Sequence, residues 1–186
     1  MGILLRISRT IDRISVAIGR AVYWLILLAV LVSAANAISR KAWSLSSNAW
    51  LELQWYLFGA AYLLAAAYTL QRNEHIRIDI VSGMLPQRAR DWIDVAGHLF
   101  MLIPFAGFLT YQTWWYFLDA FQSGETSASY GGLIIWPARL LIFLGFALLL
   151  IQAVSELIKR VAIIAGAIPP SEIPGHHQPA IEDAPR

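Results

Sequence analysis

Along this chain the charged residues fall in short clusters separated by long apolar runs. Ala21 to Ser39 and Leu53 to Gln71 each hold 19 uncharged residues, bounded by Arg20 and Arg40 and by Glu52 and Arg72. Val95 to Leu118 gives 24, with His98 the one residue that could be charged near neutral pH, and Leu140 to Ser155 gives 16, which needs the preceding "GLIIWPAR" to reach full length. A helix crossing ~30 Å of hydrocarbon takes about 20 residues. The pattern therefore predicts an all-α integral membrane protein with four transmembrane helices, over about 21–39, 53–71, 95–118 and 134–155. The connections are too short to hold a soluble domain, so residues 21–164 are expected to form one membrane domain.

Before the first run, Ile3, Ile7, Ile11, Ile14 and Ile18 recur at intervals of four and three and share one arc of a helix, while Arg6, Arg9, Arg13 and Arg20 share another. Residues 1–20 are expected to form an amphipathic N-terminal helix. It either lies in the membrane interface with its arginines at anionic headgroups, or extends the first span. Ala29, Ser33 and Ala37 in the first run and Ala61 and Ala65 in the second stand at four-residue spacing, which lets helix backbones approach closely. Pro104 removes a backbone hydrogen bond and predicts a kink in the third. Residues 165–186 carry five of the eight prolines and no apolar period, as expected of a flexible cytoplasmic tail.

Composition agrees with a bilayer as solvent: 58% of residues are hydrophobic and 14% charged, outside the ordinary soluble range. All eight tryptophans lie near predicted span ends, where such rings favour the headgroup boundary, so the Trp114–Trp115 pair needs no ligand to explain it. Eleven of the fourteen Lys and Arg residues fall on the N-terminus, the second connection and the tail; the other connections hold Arg40, Lys41 and Arg139. Basic residues favour the cytoplasmic side, so both termini are expected there. A cleaved signal peptide ending at "ANA", Ala35 to Ala37, is the competing reading, but its apolar run is longer than the ~7–15 residues of a signal core. With no cysteine in the chain, disulfide and thiol chemistry are excluded.

Between the second and third runs the chain reads "NEHIRIDIV", Asn73 to Val81. His75, Arg77 and Asp79 alternate with isoleucines, a period of two that fits an extended segment with one apolar face. Ser82 and Gly83 suit a turn and Pro86 the first turn of a new helix, on which Arg88 with Asp91 and Arg90 with Asp94 pair at i,i+3 and i,i+4. The cluster lacks a nucleophile, a metal triad and a pocket, so it reads as a structured elbow and not as an active site. His176 and His177 have no further ligands at metal spacing. Within the charge-free runs His98 is the one side chain that can carry a charge near neutral pH, beside the uncharged polar Asn36, Thr110 and Gln112. Transport pathways usually carry more than that, and inverted repeats are not evident, which disfavours a stand-alone transporter. No catalytic residue, cofactor, metal or nucleic-acid partner is indicated. The alternative class is a haem- or quinone-linked membrane anchor of an oxidoreductase, though a bis-histidine haem site needs a second histidine that the spans do not supply.

The stretch from Glu52 to Gly97, "ELQWYLFGAAYLLAAAYTLQRNEHIRIDIVSGMLPQRARDWIDVAG", an aromatic third run, and "SGETSASYGGLIIWPARLLIFLGFALLLIQAVSELIK" together resemble the small membrane subunit of tripartite ATP-independent periplasmic (TRAP) transporters, the DctQ-type family. The likeness covers about Ala17 to Ile164, and its most specific part is the run from Arg72 to Asp79 with the Leu-Pro-x-Arg of Leu85 to Arg88. The resemblance implies a four-helix subunit of the bacterial inner membrane without transport activity of its own. Its implied partners are a large multi-spanning M-type permease subunit, a periplasmic substrate-binding protein and membrane lipids, and an ion gradient would drive uptake of an organic acid. Arg72, His75, Arg77, Asp79, Pro86 and Arg88 are the matching motif residues, expected to hold the elbow or contact the large subunit. Glu52, Asp119, Glu125 and Arg139, beside the outer connections, are candidates for docking the binding protein.

Overall fold

The computed structural model describes residues 2–44, 47–73 and 86–169. Five α-helices account for most of them: α1 (Gly2–Trp43), α2 (Asn48–Gln71), α3 (Gln87–Gly97), α4 (Ile103–Ser123) and α5 (Trp136–Ile164), with a π-helical turn, His98–Leu102, joining α3 to α4. Among the described residues the one strand-like feature is an isolated antiparallel bridge between Thr126 and Ile134. The expected extended segment with His75, Arg77 and Asp79 lies outside the described residues, as do His176 and His177.

Local chemistry sets the ends. α2 stops where Arg72 N–H bonds the Tyr68 carbonyl at 3.0 Å and Asn73 N–H bonds that of Leu70 at 3.0 Å. Asn73 itself takes φ 56°, the left-handed conformation that asparagine tolerates better than most residues. Pro86 caps α3 from an extended conformation, and its carbonyl accepts from Ala89 N–H at 2.9 Å. Just before Pro104 the helix widens into the π turn. Ile103 N–H reaches back to the His98 carbonyl, and the proline follows directly, a wider turn being one way in which a continuous helix accommodates such a residue.

The N-terminal segment is continuous with the first apolar run, giving α1 a length of 42 residues. Its isoleucine arc is not the arc that packs. Ile3, Ile7 and Ile14 are exposed, whereas Ser8, Ser15, Gly19 and Val22 are buried, because the face that α5 presents to this part of α1 is polar.

α5 is the hub, touching α1, α2, α4, α3 and the π turn, while α2 also runs along α1. The core is built mainly from small side chains, with Ala29, Ala60, Ala61, Ala67, Ala106, Ala120, Ala153 and Ala162 all buried. Trp24, Trp55, Phe58, Phe100, Met101 and Phe105 point outward. That distribution suits helices whose surroundings are as apolar as their side chains, so that close backbone approach drives association. α2 and α5 approach closely at Gly145, where an added Cβ would lie 2.7 Å from Leu63 Cβ and 3.3 Å from its carbonyl oxygen. Among the described residues, three helical runs, Gly2–Trp43, Arg88–Ser123 and Trp136–Ile164, are long and apolar enough to cross a membrane by length and composition. α2 has 24 residues, about 36 Å at a rise of 1.5 Å per residue.

Candidate interaction sites at the two ends of the bundle

At one end, the segment between α4 and α5 folds back on the helices. Ser127 N–H bonds the Leu133 carbonyl at 2.9 Å and Ile135 N–H bonds that of Glu125 at 3.1 Å. Glu52, from the start of α2, enters this loop: it accepts from Leu133 N–H at 2.6 Å and from the Ser127 hydroxyl. The Ser127 hydroxyl and the Leu133 amide hold the Glu52 carboxyl below its ordinary value of 4.5, since both bonds favour the charged form. Asn48 Nδ2 donates to the Tyr130 carbonyl at 2.9 Å.

Arg139, on the first turns of α5, clamps the other side of the loop. Its guanidinium pairs with Glu125, reaches Asp119 Oδ2 at 3.4 Å, donates to the Tyr116 carbonyl at 3.1 Å and lies 3.8 Å from the Tyr116 ring centroid. The four charged residues singled out for docking are thus brought to one loop, where they bond to it or to each other. What the loop leaves outward is its tip, with the Tyr130 side chain 96% exposed.

At the opposite end, Arg72 Nε donates to the Tyr68 hydroxyl at 3.0 Å and its guanidinium sits 5.4 Å from that ring. Tyr68 in turn packs on α1, so tightly that a Cβ at Gly19 would come within 2.5–2.9 Å of its side chain. Arg72 therefore braces the α1–α2 contact, while Arg88 is exposed on α3. Asp94 forms an ion pair with Arg160 of α5, a contact across the bundle that spacing along α3 could not reveal.

Beside them lies a buried polar network that the sequence reading missed. Ser8 and Ser155 hydroxyls meet at 2.7 Å, and Ser15 Oγ donates to Gln152 Oε1 at 2.8 Å. Gln152 Nε2 donates to Asp12 Oδ1 and Glu156 Oε1, each at 2.9 Å. The Lys159 ammonium sits between the two carboxylates, 3.1 Å from Asp12 Oδ2 and 2.5 Å from Glu156 Oε1. Gln152 is wholly buried, Glu156 1% and Lys159 4% exposed, and His98 is buried with Nδ1 2.8 Å from the Asp94 carbonyl. His98 is therefore not alone: the folded bundle also buries Glu156 and Lys159, which lie just past the predicted end of the fourth span. The charge-free run stops at Ser155, before Glu156, whereas the helix continues to Ile164. The signal was present as a matched pair of stripes: Gln152, Ser155, Glu156 and Lys159 share one face of α5, and Ser8, Asp12 and Ser15 share one face of α1.

The paired charges sit at the two ends of the bundle and join one helix to another, an arrangement suited to fixing helices and connections in place. The family model for the DctQ component of tripartite ATP-independent periplasmic transporters matches residues 29–162. The chain belongs to the DctQ family. It is thus a TRAP transporter component of the integral membrane class and not an enzyme. No curated protein and no solved structure matches this DctQ-family chain. The matched range includes the α5 members of the buried network and leaves out Ser8, Asp12 and Ser15, so in this DctQ chain the network fastens the N-terminal half of α1 onto the family's own helices.

Proposed function

We propose that the chain is the small accessory subunit of a TRAP-type secondary transporter. It pairs with the large M-type permease subunit in the bacterial inner membrane, stabilises it, and helps dock a periplasmic substrate-binding protein for ion-gradient-driven uptake of organic acids. The family match over residues 29–162 carries this reading. All four helical runs then cross the membrane. The 24 residues of α2 exceed the roughly 20 that a span requires, and α2 lies along α1 and α5 for support. Both termini face the cytoplasm; with Lys159 and Arg160 paired to acids, this orientation rests on the arginines of α1 and of the second connection.

In this reading the bundle is the stationary side of the complex, against which the transport domain of the large subunit moves. Glu52, Asp119, Glu125 and Arg139 serve docking indirectly, by shaping the loop whose Tyr130 tip meets the binding protein. The run Arg72, His75, Arg77, Asp79, Pro86 and Arg88 braces the cytoplasmic elbow or contacts the large subunit. The test is an affinity pull-down of the tagged chain from detergent-solubilised native membranes, with co-purifying proteins identified by mass spectrometry. Recovery of one large polytopic protein supports the proposal; recovery of the chain alone, or with redox subunits, overturns it.

A further inference from the structure

Next to the buried network, α1 and the end of α2 enclose an open groove of about 340 Å³ lined by Asp12, Arg13, Val16, Ala17, Arg20 and Gln71. Arg13 and Arg20 are seven residues apart, two turns of one helix face, so their bases stand about 10.5 Å apart along the axis. Both are exposed. Val16 and Ala17 form an apolar floor between them. Gln71, the last residue of α2, brings a side-chain oxygen that is shielded from solvent and has no hydrogen-bond partner among the described residues. Asp12 also lines the groove, but its carboxylate is held by Lys159 and Gln152.

Two cations, an unfilled acceptor and an apolar floor match a phosphodiester whose headgroup carries a hydroxyl and whose glycerol leads into acyl chains. We infer that this groove is a headgroup site for an anionic phospholipid of the phosphatidylglycerol class, with the phosphate between Arg13 and Arg20 and a headgroup hydroxyl donating to Gln71. The inference rests on the proposed membrane placement: Arg20 ends the uncharged run of α1 and Gln71 that of α2, which sets the groove at the level where headgroups begin. The arginines then meet the negative surface of the cytoplasmic leaflet, whose attraction for basic residues fades within a Debye length.

The test uses the purified full chain, delipidated in detergent and titrated with phosphatidylglycerol, with phosphatidylcholine of the same acyl chains, or with inorganic phosphate. Lipid retention is read by native mass spectrometry and the unfolding midpoint by heating. Phosphatidylglycerol should be retained and raise the midpoint in the parent and in Arg6→Gln, which removes a charge of the same arc outside the groove. The double variant Arg13→Gln/Arg20→Gln should retain it on the order of tenfold more weakly. Gln71→Leu should weaken phosphatidylglycerol while leaving phosphatidic acid, which lacks the headgroup alcohol, unchanged. Equal retention by parent and double variant overturns the site, and so does an equal effect of phosphatidylcholine. A midpoint shift reproduced by inorganic phosphate assigns the groove to a free anion, and an equal loss in Arg6→Gln reduces it to general basic charge; either also overturns the site. Recovery of a large polytopic partner is scored separately, so failure of the lipid site and failure of the transporter reading give different results.

Discussion

Replacing Lys159 by methionine removes the one cation between Asp12 and Glu156 while keeping most of the side-chain volume. The ammonium makes three contacts with carboxylate oxygens, at 3.2, 3.1 and 2.5 Å, from a position 4% exposed. Without it, two carboxylates face each other across the Gln152 amide. Stripping one partner from a buried ion pair costs about 3–5 kcal/mol. The Asp12 side chain keeps 19% exposure, so water offsets part of the loss and the expected cost is about 3 kcal/mol, the lower end of that range. The triple variant Asp12→Asn/Glu156→Gln/Lys159→Met removes all three charges at nearly constant shape and should recover most of the loss, as buried charge clusters often do when replaced together. Denaturant titration of the purified chain in mixed micelles, or its unfolding midpoint on heating, measures both variants. A single-variant cost below about 1 kcal/mol, the worth of a surface pair, would refute the reasoning, and so would a triple variant no more stable than the single one.

Three further outcomes are expected. Gly145→Ala should destabilise the bundle by about 1–3 kcal/mol through overpacking, because the new Cβ meets Leu63 at its Cβ and backbone; Gly107→Ala, whose Cβ finds its nearest neighbour at 4.0 Å, should leave the unfolding midpoint in place. Gly19→Ala should displace the Tyr68 ring and break its bond with Arg72, a change visible as faster hydrogen exchange at the end of α2 and absent in a Gly97→Ala control, where space is open. The carboxyl of Glu52 is lowered in the folded state, so its contribution is complete above the ordinary value of 4.5 and is lost as pH falls through the lowered folded value. Acidification from neutral to below 4.5 should loosen the loop around Tyr130 in a protease-accessibility assay. Glu52→Gln should show the looser loop already at neutral pH, and a loop equally protected in both proteins across that range would refute the role given to Glu52.

The helical architecture was legible because charge-free runs of membrane length have few other uses. The packed faces were harder to read. On α1 the isoleucine arc has the strongest period, yet Ser8, Ser15 and Gly19 are the buried positions. In apolar surroundings large side chains gain little from being inside, and packing instead selects small residues and hydrogen-bonding partners. Charge misled in a related way, since Glu156, Lys159 and Arg160 look like the water-facing end of a helix until Asp12 and Asp94, far away in sequence, supply their counter-ions. At the opposite end, Glu52, Asp119, Glu125 and Arg139 could be chosen from sequence as a set, but not their bonding to the same loop, because pairings between helices have no local period.

α1 runs from Gly2 to Trp43 without interruption, about 63 Å at 1.5 Å per residue. It is fastened to α5 near its beginning and rests against α2 farther along. Mechanically it is a strut with supports at two heights. A tilt imposed at Arg6 has no joint in which to dissipate and must be borne along the rod as far as Trp43.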